Sequence, residues 1–110
     1  MNINYIGAEL VFKSESSSIA QDSYIDMMHK KGRILWGNSI VYSSRVPLAA
    51  GHNDDISLTG DPEDGWGWLA KKGFDIIQTD WTHHCVNYYV IVIRKGGGKN
   101  YYIFRFWICV

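Results

Sequence analysis

The chain has 110 residues, 46% of them hydrophobic and 20% charged, which is the balance of one modest packed domain. Its formal net charge is zero, which argues against a nucleic-acid surface or an anionic membrane as partner. Its longest apolar stretches fall short of the ~20 residues a membrane helix needs.

Taken in order, Asn4 to Phe12 (NYIGAELVF) reads as a strand. Tyr5, Gly7, Glu9 and Val11 share one face, and Ile6, Ala8, Leu10 and Phe12 the other. Glu9 is either a functional carboxylate or a structural one paired with Lys or Arg, because a carboxylate in a buried strand needs a partner. After the polar Lys13–Ser18 loop, Ser18 and Gln21 form a candidate capping box for a helix through Lys31. Ile19, Ile25 and Met28 are its apolar stripe, and Gly32 stops it. His29, near the helix's negative end, reads as structural.

Arg33 to Ser39 (RILWGNS) is the second predicted strand, with Trp36 and Asn38 on one face. They form a pocket wall, or a packed Trp and a strand-terminating Asn. Ile40 to Gly60 is a long connection where ~2–6 residues are usual, and long loops there tend to be functional. Within it, His52, Asp54 and Asp55 are spaced as weak candidate metal ligands, with Asn53 able to add an oxygen. The competing reading is a tight turn whose Asx side chains bond their own backbone.

Asp61 to Trp81 (DPEDGWGWLAKKGFDIIQTDW) carries complete punctuation. Asp61 is a candidate N-cap and Pro62 the first helical residue, with Glu63 and Asp64 in the first turn. Trp66, Leu69 and Ala70 are apolar, Lys71 and Lys72 meet the helix's negative end, and Gly73 stops it. Phe74 to Gln78 reads as a strand buried on both faces, ending in Thr79, Asp80 and Trp81. Beyond it, Asn87–Arg94 and Tyr101–Val110 are β-prone and flank a glycine-rich turn, so a C-terminal β-hairpin is expected. His83, His84 and Cys85 cannot easily converge on a metal in extended chain, where neighbours point to opposite faces. Cys85 and Cys109 are either a disulfide closing that hairpin or two unrelated thiols.

GWGWLAKKGFDIIQTDW resembles the closing helix and last strand of the glycerophosphodiester phosphodiesterase family. GAELVFKSESS, GRILWGNSI and AAGHNDD resemble the strands and loop before it, so the likeness covers about residues 4–81 in unbroken order. It implies α/β architecture: the last βα units of a (β/α)8 TIM barrel with parallel strands. The tail at 82–110, read as an atypical C-terminal β-hairpin, departs from the leucine-rich closing helix with which that family continues. A disrupted reading frame near Thr82 would account for that tail. The family's catalytic histidines and metal carboxylates lie in its His-Arg-Gly, Pro-Glu-Asn-Thr and Glu-x-Asp signatures, and none occurs here.

By the resemblance, Glu9, Lys13, Trp36, Asn38, Gln78, Asp80 and Trp81 belong to the rim of the active site. The family hydrolyses a small glycerophosphodiester to an alcohol and glycerol 3-phosphate with a divalent metal, Mg or Ca, and none is expected bound to this fragment. The chain is expected to be inactive alone and to self-associate through open strand edges. The alternative is a non-catalytic binding module. No signal peptide is read at its start, and a fragment leaves the compartment open.

Overall fold

The structure is a computed structural model and describes residues 6–95 and 108–110. Strand β1 (Gly7–Leu10), helix α1 (Asp22–Lys30), strand β2 (Ile34–Asn38), helices α2 (Asp54–Thr59) and α3 (Trp66–Lys72), strand β3 (Ile76–Gln78), helix α4 (Thr82–Lys95) and strand β4 (Ile108–Cys109) follow one another. The strands form one sheet in the order β1-β2-β3-β4, and every pairing is parallel. The three predicted strands are therefore present and mutually parallel. The second is one residue shorter at each end, the third begins two residues later, and residues 4 and 5 of the first lie outside the described residues. A short fourth strand extends the sheet.

The register assigns the faces. Ala8 pairs Leu35, while Leu10, Gly37, Ile77 and Cys109 align across the sheet. The side chains on this face join Ile25 and Met28 of α1, Leu69 and Ala70 of α3, and Cys85 of α4 in one core cluster. Gly37 is small because α3 and the β3 approach press on it. A Cβ there would lie 3.1 Å from the Phe74 ring and 3.2 Å from Leu69. Helices α1, α3 and α4 thus pack on one face, which is what a run of right-handed βαβ crossovers in one direction produces.

The opposite face carries Gly7, Glu9, Ile34, Trp36, Asn38, Ile76 and Gln78. Gly7 is required where β1 meets β2, since a Cβ would stand 2.0 Å from the Ile34 carbonyl oxygen. Along most of this face the side chains reach solvent: Ile34 is 40% exposed. Parallel sheets normally bury both faces.

Helix ends follow local chemistry with two departures. Gly73 takes the left-handed conformation at φ 116°, and its N–H closes on the Leu69 and Ala70 carbonyls, as a C-terminal glycine should. Asp61 does cap the following turn, accepting from Glu63 N–H, but that turn is a 3-10 segment (Pro62–Asp64) separated from α3 by Gly65. Ser57 Oγ occupies the place of a Gly65 side chain, at 1.9 Å from a built Cβ. The capping box at Ser18 does not form. Gln21 instead donates to the Glu15 and Ser17 carbonyls, and a short 3-10 turn precedes α1.

The expected C-terminal hairpin is overturned. Asn87–Arg94 lies within α4, and β4 pairs parallel to β3 rather than antiparallel to a neighbour. The glycine-rich turn and most of the second expected strand, residues 96–107, lie outside the described residues. Strand propensity measures fit to a pleated, half-buried surface, and it yields when another environment fits better. Here Cys85 and Tyr88, three residues apart, turn one helical face into the core.

At the sheet's amino end, Asp75 accepts from Leu35 N–H and from His29 Nε2, each at 2.9 Å. His29 is structural, as expected, and bolts α1 to the β2–β3 pair. At the α3 side, Glu63 meets Lys71 Nζ at 2.7 Å and accepts from the Tyr88 hydroxyl. The Lys71 bond first, and then the Tyr88 bond, hold the Glu63 carboxyl below its ordinary value of 4.5, against a smaller opposing effect of burial. A depressed carboxyl contributes stability above its unfolded pKa and loses it as pH falls through the folded one. Glu63→Gln should therefore narrow the stability difference between pH 7 and pH 3, measured by urea midpoints. The change should be small, because both partners are well exposed and water screens them.

Candidate functional site

The carboxyl ends of the strands gather most of the polar residues singled out in the sequence. Glu9, Asn38 and Gln78 come from adjacent strands, and alternation puts them on the open face. Asn38 Nδ2 donates to Glu9 Oε1 at 3.0 Å and lies 3.3 Å from Gln78 Oε1. Asn38 Oδ1 accepts from Ile40 N–H, which settles the amide's orientation. Asn38 is buried and Glu9 exposed, so the group presents one accessible carboxylate backed by two amides. Among the described residues, Glu9 is thus partnered by an amide rather than by a Lys or Arg.

Below this trio on the same face, Trp36 pairs with Glu9 on one side and Ile76 on the other. These residues, with Gly7 and Ile34, line an open cavity of about 230 Å³. The Trp36 indole nitrogen is shielded from solvent and has no hydrogen-bond partner among the described residues.

Lys13, Asp80 and Trp81 lie at the same carboxyl end but outside the trio, in the segments that follow β1 and β3. All three are exposed, Trp81 at 47% with its ring edge-on to His84 at 5.5 Å. Asp80 is exposed just past the carboxyl end of β3, and its own N–H donates to Asp54. The sequence candidates therefore form one joined group, Glu9, Asn38 and Gln78, and a looser exposed rim.

The His52–Asp55 stretch diverges. Asn53 caps α2 by accepting from Ile56 N–H at 3.0 Å. His52 stacks on Trp68 with ring centroids 3.8 Å apart, and its ring nitrogens face Glu15 Oε1 and the Asp64 carbonyl. Asp55 is exposed and 3.6 Å from Arg45. Asp54 turns inward instead. The Ser39 hydroxyl (2.7 Å), Trp66 Nε1–H (2.9 Å) and Thr79 hydroxyl (2.6 Å) donate to its Oδ1, and Asp80 N–H (3.0 Å) to its Oδ2. Neither expected reading of this loop describes Asp54, which ties together the ends of β2 and β3, α2 and the start of α3. Its polar partners are 12 to 26 residues away along the chain, a separation no local motif encodes.

Among the described residues, no three His, Cys, Asp or Glu side chains converge as a metal site would require. None of their helices is long and apolar enough to cross a membrane.

A parallel α/β unit, wound in one direction with its polar residues at the carboxyl ends of the strands, is the class that this fold and site define. The chain belongs to the family DUF4996, described as a domain of unknown function, whose family model matches residues 1–89. That match runs past Thr82 into α4. No curated protein and no solved structure matches the chain.

Proposed function

We propose that the chain is the closing part of a (β/α)8 barrel related to the glycerophosphodiester phosphodiesterases, contributing wall and rim to a phosphodiester-hydrolysing site whose acid/base and metal residues lie elsewhere. The observation that carries this reading is the sheet's winding. Strands in sequential order, with α1, α3 and α4 on one face and Glu9, Asn38 and Gln78 on the other, are what a sector of a barrel requires. Doubly wound sheets instead reverse their strand order and carry helices on both faces. The polar trio falls at the carboxyl end, where barrel enzymes work.

In such a barrel the Glu9 carboxylate, held in place by the Asn38 amide, would orient a glycerol hydroxyl or hold water against the phosphate. The residues present do not by themselves fit the family's divalent ion. Glu9 is the one carboxylate in the joined group, and its Oε1 already accepts from Asn38.

Alone, the chain should not hydrolyse glycerophosphocholine with Mg2+ or Ca2+, because a missing acid/base pair removes about 10²–10⁴ in rate even before any metal is considered. Turnover above background, lost in His52→Ala, would overturn the reading. The constructive test supplies the first (β/α) units of a glycerophosphodiester phosphodiesterase as a separate chain. Association and hydrolysis are expected, with hydrolysis reduced at least tenfold by Glu9→Gln. Failure to associate would count against the barrel.

A second reading has its own observation. The open face exposes Ile34 beside the half-buried Trp36 and Ile76, an apolar surface suited to self-association. Trp36→Glu should dissolve any oligomer seen by sedimentation. An oligomer indifferent to that change would point instead to the sheet edges.

A further inference from the structure

We propose that Cys85 and Cys109 form a reversible disulfide that latches the edge strand β4 to helix α4. Both are free thiols, and their sulfurs stand 2.7 Å apart. A disulfide needs about 2.05 Å, so closing the bond takes a shift well under an ångström. The two positions come from different elements. Cys85 sits in the first turn of α4 and is fully buried, while Cys109 lies on β4 opposite Ile77 and is partly open to solvent.

The pair is chemically asymmetric. The Cys109 S–H donates to Cys85 Sγ, and Cys85 is fully buried while Cys109 is partly open to solvent. The accessible sulfur is therefore the one an external disulfide reaches first, with the buried one placed to resolve the mixed disulfide. With oxidised glutathione as oxidant, the Cys109 thiolate attacks one sulfur and expels a glutathione thiolate. The Cys85 sulfur then attacks Cys109 Sγ, giving up its proton and releasing the second glutathione. Two thiols have been oxidised and one external disulfide reduced, so atoms and electrons balance.

The bond would secure a weakly held edge. Strand β4 has two residues, joined to β3 through the Val110 N–H to Ile77 carbonyl bond and the Thr79 N–H to Val110 carbonyl bond. Cross-linking positions 24 apart also restricts the unfolded chain. This inference does not depend on any enzymatic role.

The test incubates the full chain with oxidised glutathione and then with dithiothreitol. Oxidation should remove both titratable thiols with no glutathione retained, and raise Tm by on the order of 10 °C. Dithiothreitol should reverse both changes. Cys85→Ala should retain one glutathionyl group on Cys109, whereas Cys109→Ala, with only the buried thiol left, should retain none in the folded state. Should Cys85→Ala fail to fold, the wild-type thiol count and mass still decide. Two persisting thiols, a stable glutathionyl adduct on the wild type, a disulfide between two chains, or a closed bond that leaves Tm unchanged would each overturn the proposal.

Discussion

Replacing Asp54 by alanine should remove a large part of the fold's stability. The carboxylate is 2% exposed and accepts from Ser39, Trp66, Thr79 and the Asp80 backbone. Removing it strands these donors where water does not readily reach, at about 1–3 kcal/mol for each one left unsatisfied. Summed without full additivity, the loss is about 4 kcal/mol or more, a large part of a small domain's stability of about 5–15 kcal/mol. Asp54→Asn keeps the shape but turns one acceptor into a donor, and every neighbour bonded to that carboxylate is itself a donor. It should cost about 2–3 kcal/mol. A turn-shaping aspartate would tolerate the amide with little change, so an unaltered Tm in Asp54→Asn would refute the hub. Its near-UV circular dichroism should also fall, because Trp66 loses its indole partner.

Phe74→Ala is expected to be nearly as damaging, at about 3–5 kcal/mol. The ring is fully buried, stacks on Phe12 at 6.0 Å and fills the space over Gly37. An open-faced sheet has its main apolar core on one side, and this ring lies between β2 and the elements that cover it. Urea unfolding should show a large fall in midpoint, with a broadened transition if the sheet separates from α3. Phe74→Leu, which retains most of the volume, should cost distinctly less. A midpoint unchanged in Phe74→Ala would mean that the core tolerates a large void, contrary to close packing.

Much of this architecture was legible in residue order, for reasons that operate within a few residues. Alternation along 7–10, 34–38 and 76–78 assigns a face to each side chain, because a strand's period is 2. That is why Glu9 was separable from Leu10, and Asn38 could be grouped with Trp36, without coordinates. Gly73 announced its helix end because it readily takes the left-handed conformation, and Asp61 announced a cap because its oxygen reaches Glu63 N–H. That Lys13, Asp80 and Trp81 lie past the carboxyl ends of β1 and β3 followed from their places after those strands.

What sequence could not determine depended on partners far along the chain. Asp54 looked like a turn former or a ligand, and only the meeting of positions 39, 54, 66, 79 and 80 makes it a buried acceptor. Residues 87–94 have the composition of a strand, yet they are helical. Local propensities are worth about 1 kcal/mol or less per residue, whereas burying Cys85 and Tyr88 against the sheet engages a whole core. The same holds for the thiols. Sequence made Cys85 and Cys109 a candidate pair on a hairpin, and the tertiary fold placed them in contact across α4 and β4. Local order is written in periodicity and caps, whose reach is a few residues. Which polar atoms end up facing one another is decided by packing, because burial makes an unmatched donor or acceptor too costly to keep.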